Sequence, residues 1–367
     1  MRKLISDFFV GNPKIEVVGT ARNGKDAIKK IQQLKPNVVT MDVEMPEMNG
    51  LDALKQIMEI CPVPVVMLSS TTQGGAENTL TAMESGAVDF VAKPSGTISL
   101  DLHKIQDELI YKVEQAAQVS VSKLKKQIGT SRIEKQEATT YVKVPKPVRL
   151  PKPLVNKQVE SSKTFTPQAK REWNNTSKKV VLIGTSTGGP RALQEVITKI
   201  PANIQAPILI VQHMPAGFTK SLATRLDQLS KIKVKEAEQG DILQNGVAYI
   251  APGGYHLKLR KVGISFGIVL DQTEPPRSGH RPSVDVMFEE VSKYDDFDKI
   301  AVIMTGMGYD GSKGLIALKQ TGNVMAIAES ADTCIVYGMP KAAVETQLVD
   351  EVADVDNIAQ SIMKYML

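Results

Sequence analysis

The sequence predicts an α/β protein built from two doubly wound parallel-sheet domains joined by a flexible linker. Two observations carry this. Over residues 1–118, and again over 178–367, apolar β-branched runs alternate with helix-period stretches across short turns, the pattern of a parallel sheet covered on both faces by helices. Between them, residues 119–177 keep no period and are rich in Lys, Pro, Ser, Thr and Gln, the composition of an extended tether. A length of 367 residues suits two domains, and 42% apolar but only 5% aromatic residues assign the cores to Ile, Val, Leu, Ala and Met.

In the first domain the periodicity predicts helices at 2–10, 25–34, 51–60, 77–85 and 102–117, and strands at 15–20, 37–42, 63–68 and 87–92. In the second it predicts strands at 180–183, 207–212, 247–251, 300–304 and 324–328. Helices are expected at 191–200, 219–230, 282–293, 311–321, 340–346 and 356–366, with an added hairpin from 256–260 and 264–270. Trp173, the only tryptophan, either anchors a docking contact or packs at the edge of the second domain.

The net charge of +5 belongs to the linker. Residues 121–179 carry 15 Lys and Arg against four acids, a surplus of 11, which leaves −6 on the rest of the chain. A DNA-binding domain would instead carry its positive charge on a folded face, so nucleic acid is not an expected partner. No apolar run approaches membrane-spanning length, and the N-terminus lacks a secretory pattern. The two cysteines, Cys61 and Cys334, have no metal-type spacing and suit a reducing compartment. The expectation is a cytoplasmic protein that does not insert into membranes.

The most informative segment is Val181–Pro190, VLIGTSTGGP. A strand that stops at Gly184 and turns into a helix opened by Pro190 holds the Ser186 hydroxyl clear of the backbone, beside the free N–H groups of a helix start. A nucleophile whose oxyanion must be stabilised needs that arrangement. The same run also suits a plain βα turn or a phosphate cradle. It is not a Walker A loop, since the Gly-Lys-Ser/Thr ending is missing.

A serine nucleophile needs a base, and the base an orienter. His213 follows the apolar run Ile208–Gln212, at the strand edge where ligand crevices of open parallel sheets form, as does Ser186. Asp310, in Thr305-Gly306-Met307-Gly308-Tyr309-Asp310-Gly311, follows another strand and starts a helix, as either an orienting carboxylate or an N-cap. His256 and His280 lie in turn-rich segments, lining a cleft or filling loops, and no Cys or His pair has zinc-ligand spacing. In the first domain Asp42, Ser69 and Lys93 end three successive strands, a carboxylate, a hydroxyl and an ammonium suited to a phosphoryl-acceptor site.

On these motifs, residues 1–118 resemble a response-regulator receiver domain of flavodoxin-like fold, through Met41-Asp42-Val43-Glu44-Met45-Pro46, Ser69 and Ala92-Lys93-Pro94. Residues 178–367 resemble the Rossmann-like catalytic domain of the chemotaxis protein-glutamate methylesterases. The carrying motifs are Gly184–Gly189, Gln212–Pro215, Ala251–Gly254, His280–Asp285 and Thr305–Gly311. The resemblance implies hydrolysis of glutamate γ-methyl esters on methyl-accepting chemotaxis receptors and deamidation of receptor glutamines. It implies Ser186 as nucleophile, His213 as base and Asp310 as orienter, with Thr187, Met307 and Gly308 at the oxyanion and cleft and no cofactor for hydrolysis. It further implies Asp42 as phosphoacceptor from the chemotaxis histidine kinase, Ser69 and Lys93 as switch residues, relief of cleft blockage on phosphorylation, and association with receptor clusters at the inner membrane face. A receiver also begins with an apolar strand ending in an acidic pair that holds Mg²⁺. Here the pattern begins at the helix 2–10, so the first domain is expected to be truncated, by a late start or a crippled receiver, with Asp42 alone as metal ligand. A receiver controlling a non-enzymatic signalling adaptor is the alternative reading.

Overall fold

The computed structural model describes residues 2–93, 99–120, 173 and 177–366; the expected linker, 119–177, lies almost wholly outside them, as does Pro94. In the first domain, helices α1 (Arg2–Phe8), α2 (Gly24–Leu34), α3 (Gly50–Ile60), α4 (Gln73–Glu84) and α5 (Ser99–Ala116) surround strands β1 (Val39–Asp42), β2 (Val65–Ser69) and β3 (Asp89–Ala92). These strands pair in parallel in the order β1-β2-β3. Side-chain caps start three of the helices as the sequence dictates: Asn23, Asn49 and Thr72 accept from the amides of Asp26, Asp52 and Gly75.

One expected strand is absent. Residues 15–20 make no ladder, and Val17 and Val18 are exposed. They and β1 line a groove of about 1110 Å³, whose walls also include Ile5 of α1, Phe9 just beyond it and Ile31 of α2. With no strand alongside, the amides and carbonyls of 15–20 have no β partners, so a strand-like sequence stays unpaired.

The second domain holds β4 (Lys179–Thr185), α6 (Gly189–Ile197), β5 (Ile208–Gln212), α7 (Phe218–Leu229), β6 (Lys233–Glu236), β7 (Val247–Ile250), β8 (His256–Val262) and β9 (Ser265–Asp271). It continues with α8 (Val284–Ser292), β10 (Asp298–Ile303), α9 (Ser312–Gln320), β11 (Val324–Glu329), α10 (Met339–Glu345), β12 (Glu351–Ala353) and α11 (Val355–Lys364). Seven strands form one parallel sheet, ordered β12-β11-β10-β4-β5-β7-β6, while β8 and β9 form the expected antiparallel hairpin. Strands β4, β5 and β10 are buried along their whole length, which is why their central residues read as apolar runs. The short edge strands β6 and β12 carry charged residues and escape that signal. Trp173 packs at the domain edge: its ring meets Tyr365 edge-on at 5.9 Å and its indole N–H donates to the Tyr365 carbonyl at 3.1 Å.

The topology positions the site. β4 lies between β5 and β10, so the C-terminal ends of these three neighbours open on one rim. From β4 the chain moves outward to β5 on one side, while β10 flanks it on the other, the strand-order reversal at which open α/β sheets form crevices.

The first domain sits against that rim. Buried residues of both domains form one continuous cluster, from Leu80, Met83 and Phe90 to Phe218 and Leu222. The rings of Phe90 and Phe218 stack at 4.8 Å, and Arg225 on α7 grips Glu84 on α4 through Nε and Nη2 at 2.9 and 3.1 Å. No helix among the described residues is long and apolar enough to cross a membrane.

Candidate active site

Ser186 follows β4 directly. Its amide donates to the Thr305 carbonyl at 3.0 Å, and its carbonyl accepts from Gly189 at 2.7 Å, closing the tight turn into α6. Gly188 takes φ 76°, and Gly189 leaves no room for a side chain: a Cβ there would lie 1.9 Å from Gln212 Oε1. The Gln212 amide group, buried at the end of β5, accepts from Thr185 Oγ1 at 2.6 Å and donates to the carbonyls of Ser186 and His213 at 3.0 and 3.2 Å. It therefore ties the nucleophile turn to the base. Gln212 opens the motif Gln212–Pro215, but a glutamine at a strand end carries no sequence signal for this role.

The three predicted residues meet. His213 Nδ1 lies 3.2 Å from Ser186 Oγ, and His213 Nε2 lies 2.8 Å from Asp310 Oδ2. The ring nitrogens are used in the opposite sense to the familiar serine-hydrolase template, where Nε2 faces the serine. Asp310 is almost fully buried, and its carboxylate accepts from Val284 N (2.7 Å), Asp285 N (2.9 Å), Ser283 Oγ (2.9 Å) and Gly311 N (3.1 Å). Burial pushes the Asp310 carboxyl up, but the His213 hydrogen bond and charge, with the amides of Asp285 and Val284, outweigh it and hold the group well below the usual range. Asp310 is thus a lasting negative charge that favours a proton on Nε2 and leaves the Nδ1 lone pair for the serine proton.

Thr187 and Met307 also converge, with Thr187 Oγ1 3.1 Å from Met307 Sδ. Gly308, at φ 75°, is exposed beside them. The loop from β10 is braced from below: buried Glu329 accepts from Thr305 N at 2.7 Å, and Thr305 Oγ1 donates to the Thr187 carbonyl at 2.9 Å. Of the other two histidines of the second domain, His256 is fully buried with Nε2 on the Pro275 carbonyl at 3.1 Å and fills the fold; burial pushes its pKa down. His280 joins the site, its ring 3.8 Å from that of His213.

The first domain reaches into this cleft. Asp89, the first residue of β3, accepts a hydrogen bond from Thr187 Oγ1. Lys112 of α5 pairs with Asp89 at 3.3 Å, donates to the Phe90 carbonyl at 2.6 Å, and lies over the Phe90 ring. Burial opposes the Lys112 charge, but Asp89 and Glu108 more than compensate and raise its pKa.

At the rim of the first sheet, Lys93 Nζ lies 2.5 Å from Asp42 Oδ1. Ser69 is not part of that pair: it is fully buried and donates to the Gly75 carbonyl at 2.9 Å. Glu44 is the other carboxylate close to Lys93, at 3.9 Å, and no trio of His, Cys, Asp or Glu among the described residues is arranged to hold a metal. The donor set around Asp42 does not fit Mg²⁺, which takes six oxygens.

Comparison with known proteins agrees with this architecture. Residues 181–362 match the CheB methylesterase family and residues 1–103 the response regulator receiver domain. A protein-glutamate methylesterase/protein-glutamine glutaminase of Halalkalibacterium halodurans is 51% identical over 364 residues, covering 99% of this chain and 94% of its own. The protein of that name from Geobacillus kaustophilus is also 51% identical over 364 residues, covering 99% and 95%. The crystal structure of the Thermotoga maritima CheB methylesterase catalytic domain is 43% identical, with a TM-score of 0.49, covering 52% of this chain and 99% of that one. The chain belongs to the receiver-linked CheB family of protein-glutamate methylesterases/protein-glutamine glutaminases.

Proposed function

We propose that this enzyme hydrolyses the γ-methyl esters of glutamates on methyl-accepting chemotaxis receptors, and deamidates receptor glutamines, through Ser186, His213 and Asp310. The observation that carries the reading is the unbroken contact from Ser186 Oγ through the His213 ring to Asp310. Ser186 Oγ attacks the γ-carbonyl carbon while His213 Nδ1 takes its proton, and Asp310 stabilises the imidazolium through Nε2–H. The carbonyl oxygen becomes an oxyanion beside the turn and loop that carry Thr187, Met307 and Gly308. Collapse expels methanol, or ammonia from a glutamine, which leaves with the imidazolium proton. Water activated by the same Nδ1 then attacks the acyl-enzyme carbonyl, releasing glutamate and restoring Ser186.

Regulation by the receiver is part of the reading. With Asp89 seated on Thr187 and Phe90 stacked on Phe218, the receiver occupies the approach to the nucleophile. Phosphorylation of Asp42 by the chemotaxis histidine kinase breaks its Lys93 pair at the far end of the same three-stranded sheet and loosens that seat. The carboxylates near Asp42 supply too few ligands for Mg²⁺. Access to receptor glutamates places the working enzyme at receptor clusters on the cytoplasmic membrane face.

The test is methanol release from receptor membranes carrying labelled methyl groups. Ser186→Ala should slow it by roughly 10⁴–10⁶. Near-parental release by that variant would reject Ser186 as nucleophile, and receptor binding without any release by the parent would favour a non-enzymatic adaptor.

A further inference from the structure

His280 is stacked on the general base. The rings of His280 and His213 lie 3.8 Å apart, centroid to centroid, at 9° from parallel. This is tighter and flatter than the other ring pairs among the described residues, such as Phe90 with Phe218 at 4.8 Å and 24°. The placement is built rather than incidental. Arg277 and His280 exchange both backbone hydrogen bonds, at 3.0 and 2.9 Å, around Ser278 and Gly279, both with positive φ. Arg277 is pinned by Glu274 and Glu289, and Arg281 holds the Gln272 and Glu274 carbonyls at 2.7 and 3.2 Å while its own carbonyl accepts from Gly254 at 2.9 Å. Among the described residues the His280 ring makes no hydrogen bond, so stacking is its principal interaction.

The two hydrogen bonds of His213, to Ser186 and Asp310, pin its nitrogens but give little resistance to rotation about the line joining them. A flat ring against the face supplies that resistance. It also presents an aromatic face to the imidazolium that forms when His213 accepts the serine proton, and such a face favours a cation. The arrangement works only if His280 stays uncharged. Burial, reinforced by repulsion from His213 and outweighing attraction from Asp310, pushes its pKa down to about 3.

We propose that His280 is a positioning residue of the reaction, a neutral aromatic plate that holds the His213 ring in line between Ser186 and Asp310 and steadies it when protonated. This deepens the hydrolytic reading and rests on it. A residue that bound substrate through a ring nitrogen would fail when replaced by phenylalanine, whereas a plate would not.

The experiment compares the full chain with its His280→Ala, His280→Gln and His280→Phe variants in methanol release from methyl-labelled receptor membranes, with thermal melting as a check on folding. His280→Ala should lower kcat by roughly 10-fold with KM within about twofold, and His280→Phe should recover most of it. Should the alanine variant fail to fold, His280→Gln, which keeps bulk without a ring, serves in its place with the same expected loss. A kcat within twofold of the parent in the ring-less variant, a rise in KM in place of the kcat loss, or a phenylalanine variant as slow as the ring-less one would each overturn the assignment. Ser186→Ala, run alongside, separates the failures: activity surviving there rejects the triad, whereas a silent Ser186→Ala with a fully active His280→Ala rejects only the plate.

Discussion

Asp285 and Asp310 cap each other's helices. Asp310, just before α9, accepts the amide of Asp285 in the first turn of α8 at 2.9 Å, and Asp285 Oδ1 accepts the amides of Gly311 and Gly314 at the start of α9 at 2.9 and 2.7 Å. Two helix N-termini thus converge on a pair of buried carboxyls, which is what such termini favour. The exchange fixes the carboxylate that faces His213. It also leaves Asp285 Oδ2 buried with no hydrogen-bond partner.

A pH dependence follows from that pair. Burial, with repulsion from Asp310 and Glu289, pushes the Asp285 carboxyl up from 3.8 to about 6 against the pull of the two glycine amides. Between those values the native protein keeps a proton that the unfolded chain has released, so this group's contribution to stability is present at low pH and is lost as pH rises through about 6. Asp285→Asn keeps the acceptor for Gly311 and Gly314 and cannot ionise. Urea unfolding between pH 4 and 7 should show the variant gaining stability on the parent as pH rises through that window. Parallel curves would contradict it.

Asp310→Asn should cost about 10⁴ in kcat, because the amide no longer holds the His213 tautomer that leaves Nδ1 free for Ser186. A loss of only a few-fold, measured by methanol release, would reduce Asp310 to a helix cap.

Asp89→Ala removes the receiver group seated on Thr187. Basal methanol release, without a phosphodonor, should rise by about 5-fold or more, the lower end of ordinary inter-site coupling. An unchanged or lower rate would show that the contact does not restrain the site.

The Arg225–Glu84 pair reports on the same interface from further away. Half-exposed ion pairs contribute at most about 1 kcal/mol, so Arg225→Ala should raise basal activity by only about 2- to 5-fold. Exchanging the two charges, Glu84→Arg with Arg225→Glu, should return it toward the parent rate. A double variant as active as the single one would remove the pair from the restraint.

Gly189→Ala forces a methyl group into the Gln212 amide. Because that amide ties the Ser186 and His213 carbonyls together, kcat should fall by at least about 10-fold, accompanied by overpacking of about 1–3 kcal/mol in thermal melts. Parental kcat would show that the turn can shift without moving the nucleophile.

The sequence by itself determined the two α/β domains and the strand ends that carry Ser186, His213 and Asp310, because those signals are local. Buried parallel strands read as apolar runs, helix starts as caps, and tight turns as glycines flanking a hydroxyl or an acid. It overreached at residues 15–20, where a β-type composition has no ladder to join, and missed β6 and β12, whose charged residues obscure short edge strands. Only the tertiary structure decided which His213 nitrogen faces Ser186, that His280 rather than His256 lies in the site, that Asp285 and Asp310 share two helix starts, and that Asp89 rests on Thr187. Each is a meeting of residues distant along the chain, set by strand order and by the docking of one domain on the other. No local pattern encodes such a meeting, since the spacing of two residues in sequence says nothing of their angle or distance once sheets and helices have packed.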